Sequence, residues 1–367
     1  MRKLIACMLA LALALSMVAC AQPQQQVQQE PAPTETTKPA PEPIAPAKKV
    51  IHILVPENAE GWLAKTAAAA GEAAETIKAA GNYDVVVSNY ADASAQRKLL
   101  EDLAAQSNKD GALSVVLMPA AADMEDVLAK LLEANVSYAL AQTIPAAAAA
   151  ASVTNVGNDQ RAIGAAVAAK LVKSGLTEDQ KVVIVQGVSE EEALRTEGFR
   201  LYLQGKLTYE GNLIETPWTS LNNIVYSEMQ GQTQESAETY FKTYMADSDH
   251  AQTKFIAAWD DTYALGILKA LAGKSIDKDN KKDFLKGEPV LISCGGSQAM
   301  LDVISGEAKD PSADDFQSVQ TVVCSTDVLK IAAEAMAANF DGTVVPHENI
   351  LPVVWADKEN ATQYPGY

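Results

Sequence analysis

The stretch VIHILVPENAEGWLAKTAAAAGEAAETIKAAGNYDVVVSNY, residues 50–90, decides the fold. VIHILV (50–55) is a short β-branched run and LAKTAAAAGEAAETIKAAG (63–81) is an Ala-rich helical run closed by a Gly stop signal. DVVVSNY (84–90) is a second strand. Two strands joined by a helix of that length imply a right-handed βαβ unit and a parallel sheet. The rhythm continues with helix SAQRKLLEDLAAQS, strand ALSVVLMP (112–119), helix DMEDVLAKLLEAN and strand VSYALAQ (136–142). After the low-complexity run AAAAAA (146–151) it restarts with helix NDQRAIGAAVAAKLVKSG and strand KVVIVQG (181–187). Helix EEALRTEGFRLYLQG, strand NLIETPW (212–218), helix ESAETYFKTYMAD and strand TKFIAAW (253–259) follow. The last units are helix TYALGILKALAG, strand PVLISCGG and helix QAMLDVISG. KKVIHILV and QKVVIVQG thus open two similar α/β halves. Such halves predict two Rossmann-like, doubly wound lobes with a cleft between them, where ligands collect at the carboxyl ends of the strands.

Ahead of this body lies MRKLIACMLALALALSMVAC. Arg2 and Lys3, an apolar core and small residues before Cys20 predict a secretory signal peptide over 1–19, too short to be a membrane span. MVAC resembles a bacterial lipobox, with Met17 where Leu is usual, and implies lipidation of Cys20; ordinary cleavage beside an incidental Cys20 is the plainer alternative. Residues 20–48 are rich in Gln, Pro, Thr and Ala and bury too little surface to fold, which predicts a disordered, semi-stiff tether. No later segment is apolar for long enough to span a bilayer.

The chain carries 29 basic and 47 acidic residues. Loss of Arg2 and Lys3 with the signal leaves 27 against 47, a net charge of −20. That surface offers no basic stripe to nucleic acid, and anionic lipid repels it, so membrane attachment rests on the lipid alone. Four cysteines are present; once Cys7 and Cys20 are assigned, Cys294 and Cys324 remain in a compartment where disulfides persist. A Cys294–Cys324 bridge and two buried thiols are both open. Three scattered His residues and the absence of CxxC argue against a metal. With no Ser/His/Asp set, no GxxxxGK and no GxGxxG, the chain reads as a binding protein rather than an enzyme, with no cofactor.

WDDTYALG sits at a strand–helix corner. Adjacent carboxylates there diverge, whereas an acid/base pair must converge on one bond. Asp261 is expected as the N-cap, leaving Asp260 and Trp259 at the mouth of the cleft to hold a polyhydroxylated ring by hydrogen bonds and stacking.

Together these features resemble the type I periplasmic binding proteins in their ribose/galactose-type branch, over about residues 49–367. ILVPENAEGW resembles the first strand and the loop with a sugar-stacking aromatic, at Trp62, with Glu60 nearby. SNYADASAQRKLLEDL places Asp92 near a polar contact, and VGNDQRAIGAAVAAKL, with Asp159, resembles the first inter-lobe crossing. RTEGF matches an R-x-x-G-F motif whose Arg, here Arg195, contacts sugar oxygens in the family; WDDTYALG matches N-D-x-x-A-x-G, with Asp260 at a ligand position. Three positions depart from the pattern. Gly295 stands where G-F-D-G has its Asp, Cys324 where a Gln is common, and Gln142 where an Asp is common. Trp218 is expected either in the cleft or in the core. Plainer roles also stand open: core packing for Trp62, surface pairing for Arg195, helix capping for Asp92, and a turn at Gly295–Gly296.

The resemblance implies a periplasmic binding protein-like α/β fold with a three-strand hinge, crossing near 155–159, 323–326 and 350–352. Lobe one is then 49–156 plus 325–350, and lobe two 157–324 plus 351–367. It implies a monomeric solute-binding lipoprotein outside the cytoplasm that closes on a small, carbohydrate-like solute and is recognised by the permease subunits of an ABC importer. The altered positions leave a non-sugar solute (a nucleoside, polyol or furanone-like signal) open, as is a role as a sensor for a membrane receptor.

Overall fold

The computed structural model describes residues 48–367 except 107, 109, 122, 143–145, 228, 230 and 311. The predicted signal peptide, Cys20 and all of the predicted tether before Lys48 lie outside the described residues. Among the described residues no helix is long and apolar enough to cross a membrane.

The first sheet is built from β1 (Lys49–Pro56), β2 (Tyr83–Tyr90), β3 (Leu113–Leu117), β4 (Ser137–Ala141) and β5 (Asn155–Asn158). Helices α1 (Gly61–Ala79), α2 (Ala93–Ala104), α3 (Glu125–Glu133) and the short α4 (Ala146–Ala149) alternate with these strands. Buried Thr66, Ala70, Ala73, Ala74 and Ile77 form one stripe of α1, a helical spacing that seats it on the sheet. The second half begins with α5 (Gln160–Lys173), β6 (Val182–Val185), α6 (Glu190–Leu203), β7 (Ile224–Tyr226) and α7 (Gln234–Tyr244). It continues through β8 (Phe255–Ala258), α8 (Asp261–Ala272), α9 (Lys278–Lys286), β9 (Val290–Gly295), α10 (Gln298–Ser305) and β10 (Ser318–Val323). The chain ends with α11 (Val328–Phe340), β11 (Glu348–Leu351) and β12 (Val354–Ala356).

Two six-stranded sheets result, ordered β11-β5-β4-β3-β1-β2 and β12-β10-β9-β8-β6-β7. Every pairing is parallel except β10 with β12. Apart from the added edge strand, the two orders are the same, so each sheet has one switch point, between β1 and β3 and between β6 and β8. The central strands β3, β6, β8 and β9 are buried throughout, as expected when helices cover both faces. Ile51, Val116 and Ala139 meet α1 and α11 on one face of the first sheet, and Leu54, Val115 and Tyr138 meet α2 and α3 on the other. The second sheet is packed likewise, by α5 and α6 on one side and α7, α8 and α10 on the other.

NLIETPW is not a strand. Within it only Asn212 pairs, in an isolated bridge to Tyr209, and the edge strand beside β6 is Ile224–Tyr226. Pro217 has no N–H to give a ladder, and Trp218 turns inward, 8% exposed, its N–H bonded to the Leu203 carbonyl. The apolar alternation there reflects burial under a loop.

Candidate functional site

The carboxyl ends of both sheets face one cleft of about 480 Å³. Pro56 at the end of β1 and Met118–Ala120 after β3 bracket the first switch point, and Asp260 after β8 stands at the second. A groove of about 840 Å³ on the second lobe is larger, but it lies beside α5 and draws no residue from the first lobe. The cleft is the candidate because two lobes and two switch points converge on it.

Arg195 reaches the cleft from α6. Its position rests on two glycines. A β-carbon on Gly164 of α5 would overlap the Arg195 carbonyl, and one on Gly198 would overlap the Arg161 carbonyl, so the two helix backbones are in direct contact. The Arg195 Nε donates to Gln160 Oε1 at 2.8 Å and one Nη donates to the Trp259 carbonyl. Among the described residues its second Nη has no partner. Glu192, one turn earlier, accepts from the Tyr263 hydroxyl at 2.8 Å and from the Gly187 N–H. Burial pushes the Glu192 carboxyl above its ordinary range, against these two donors.

At the WDD corner the expected cap on Asp261 falls on Asp260 instead. Asp260 is the N-cap: one carboxylate oxygen accepts from the Thr262 N–H at 2.7 Å while the side chain also lines the cleft. Asp261 is inside the helix and 1% exposed. It accepts from Ser293 Oγ (2.5 Å), Thr321 Oγ (2.6 Å), Gly296 N–H (2.7 Å) and Ser297 N–H (2.7 Å). It therefore ties the start of α8 to β9 and β10. Burial raises its pKa against the Ser293, Thr321 and Ser297 donors. Trp259 is fully buried, edge-on to Phe199, with its N–H on Thr196 Oγ at 2.6 Å, so it carries the corner from behind.

Trp62 projects from the first turn of α1 into the cleft and packs against cores of both lobes. Its indole N–H donates to the Ser325 carbonyl at 3.2 Å. On α2, buried Gln96 fixes the loop after β3: its Nε2 donates to the Met118 carbonyl and its Oε1 accepts from the Ala120 N–H, both at 2.8 Å. The Tyr90 hydroxyl donates to the same Met118 carbonyl at 3.4 Å. Gln142 closes this wall with a left-handed φ of 62°. Such a backbone is rare outside Gly and marks a constrained position.

The floor of the second lobe holds Cys294, Gly295 and Cys324, with Tyr367 across them. The cysteines are free thiols, not a bridge. In the parallel register Cys294 is opposite Val322, so Cys324 lies two residues further along β10's path, a diagonal offset beyond the usual span of a disulfide. Burial pushes both thiols up in spite of Arg195. Gly295 has φ 149°, and a β-carbon there would stand 2.5 Å from the Tyr367 hydroxyl and 2.8 Å from an Asp261 oxygen.

Of the residues read from the sequence, Trp62, Gln142, Arg195, Asp260 and Gly295 share the cleft, and both cysteines join them. Asp92 and Asp159 are exposed caps, accepting from Ala95 N–H (2.8 Å) and Ala162 N–H (3.0 Å), and Glu60 is an exposed residue at the N-cap position of α1 with no side-chain cap bond. None of these three lines the cleft, nor do Trp218 and Trp259. Sequence reasoning missed Tyr90, Gln96, Met118 and Tyr367. Strand-end position was an available signal for Tyr90 and Met118; nothing in sequence marks Tyr367.

The model of the periplasmic binding protein domain matches residues 51–342. Among solved structures, the chain is similar to a periplasmic ribose ABC transporter protein from Conexibacter woesei (TM-score 0.64, 17% identity, 86% of this chain and 94% of that one). It is also similar to an ABC transporter solute-binding protein from Bacillus halodurans with bound myo-inositol (0.60, 15%, 86% and 97%). A third is the binding protein of an arabinose ABC transporter from Shewanella, bound to L-arabinofuranose (0.61, 14%, 86% and 94%). At these identities the likeness is one of fold. Among curated proteins no sequence matches.

Proposed function

The chain belongs to the periplasmic binding protein domain family, and from that premise we propose that it captures a sugar-like solute for an ABC importer by closing its two lobes. One observation carries the reading. The indole of Trp62 shares a two-lobed cleft with a guanidinium nitrogen of Arg195 and a carboxylate oxygen of Asp260 that have no partner among the described residues. Rings bearing hydroxyls are held by that pairing of an aromatic face with charged hydrogen-bonding groups. A solute touching both lobes stabilises the closed form by its differential affinity, and the permease subunits recognise that form. The hinge of this reading is the three passages after β5, β10 and β11, and the working unit is a monomer. Its first nineteen residues act as a signal peptide, and Cys20 carries the lipid that holds it to the membrane outside the cytoplasm.

Thermal unfolding of the chain against sugars, polyols, nucleosides and amino acids tests the binding role. A ligand at about 100-fold its Kd adds about 2.7 kcal/mol, a shift of several degrees. The shift is expected from a sugar and is lost in Trp62→Ala and Asp260→Asn; stabilisation only by polyols, nucleosides or amino acids would overturn the sugar reading. Palmitate labelling that disappears in Cys20→Ala tests the anchor.

A further inference from the structure

The two walls of the cleft differ in kind. From the first lobe it is lined by Pro56, Trp62, Leu63, Tyr90 and Met118–Ala120, with Gln142 the one amide side chain. Most polar atoms of this wall are already engaged. The Trp62 N–H is on Ser325, the Tyr90 hydroxyl is on the Met118 carbonyl, and that carbonyl and the Ala120 N–H are both held by Gln96. Pro56 and Pro119 have no N–H, and the Gln142 Oε1 accepts from Asn158, which leaves the Gln142 Nε2 as the wall's one side-chain donor without a partner among the described residues. Other cleft groups without a partner among the described residues stand on the second lobe: an Arg195 Nη, an Asp260 oxygen and the Tyr367 hydroxyl. Burial and the charges of Asp261 and Asp260 keep that phenol protonated, so it is a donor at neutral pH.

Resting on the proposed function, we infer that the solute is a neutral monosaccharide-sized ring with hydroxyls along one edge only, a deoxy sugar, its unhydroxylated edge set against Leu63, Met118 and Pro119. A hydroxyl carried into that wall leaves water and finds no partner, a penalty that shows as about tenfold or more in affinity. The second lobe supplies a donor cation, an acceptor anion and a phenol, enough for two or three ring oxygens. With Arg195 facing Glu191, Glu192 and Asp260, the cleft has no surplus positive charge for an anionic solute.

The test is titration calorimetry of the full chain with three matched pairs: D-fucose and D-galactose, L-rhamnose and L-mannose, 2-deoxy-D-ribose and D-ribose. In the pair that binds most tightly the deoxy member is expected to have a Kd at least about tenfold lower. Equal or tighter binding of the hydroxylated member overturns this inference and leaves the sugar-binding role standing; no binding in any pair, with a non-sugar stabilising the chain, removes both. Leu63→Asn, at an exposed position of the wall, is expected to bring the ratio towards one, and an unchanged ratio counts against the wall as its cause. Tyr367→Phe is expected to weaken both members together by about tenfold, since it removes a donor on the polar edge.

Discussion

The hydroxyl of Tyr367 stands 2.5 Å from the point where a β-carbon on Gly295 would lie, and an Asp261 carboxylate oxygen stands 2.8 Å from the same point. Only a residue without a side chain fits between them. Gly295→Ala is expected to cost about 1–3 kcal/mol in urea unfolding, from overpacking and from a positive φ that Ala resists. Tyr367 can swing aside whereas Asp261 is held by four donors, so adding Tyr367→Ala should recover less than half the loss. Full recovery would put the conflict at Tyr367 alone.

The two aspartates of the WDD corner should separate by stability. Asp261→Ala strands two hydroxyls and two backbone N–H groups in the core and is expected to lose about 3–5 kcal/mol. Asp260→Ala removes a cap and should lose about 1 kcal/mol. Losses of equal size would contradict this division.

Gly198→Ala forces α6 away from the Arg161 carbonyl and carries Arg195 with it. About 3 kcal/mol of stability should go, at the upper end for overpacking, together with ligand affinity. Retained affinity in the folded variant would show that Arg195 is placed by its own hydrogen bonds.

Gln96→Leu keeps the volume of a fully buried side chain and removes both bonds that fix the loop after β3. The Met118 carbonyl and Ala120 N–H then lack that partner, at about 1–3 kcal/mol. Slower association and weaker binding are expected by stopped-flow fluorescence of Trp62, against a Trp62→Phe background for assignment.

The thiols give a pH signature. Burial raises Cys294 above its ordinary value of 9.0, so the unfolded chain ionises first. The contribution of this group to stability is whole below pH 9.0 and is lost as pH climbs above it. Alkaline melts should fall less steeply in Cys294→Ala than in the parent. A disulfide reagent at pH 8 should react slowly with the native chain and, on unfolding without reductant, find two more thiols than in Cys294→Ser/Cys324→Ser. Absence of those two thiols would mean that they bridge in solution.

Much of this architecture was legible in one dimension. Alternating β-branched and helical runs require βαβ units, helical crossovers make the strands parallel, and strand ends at a switch point mark the cleft, so Asp260 was placed there by its position along the chain. Trp62 and Arg195 were placed instead by the motifs that carry the family resemblance. NLIETPW misled because a buried loop and a buried strand leave the same apolar trace over seven residues.

Which aspartate caps α8 was decided only in three dimensions. A shift of one residue in the start of a helix turns a side chain by about 100°, enough to exchange the core for the cleft. The same limit hid Gln96, Tyr367 and the helix contact at Gly164 and Gly198, whose partners lie far away in sequence. Local pattern, set by the periods of strand and helix, determined the lobes and the face on which a ligand collects. Long-range packing, which brings β9, α8 and the end of the chain to one point, decided which polar atoms are already satisfied and which are left for a ligand.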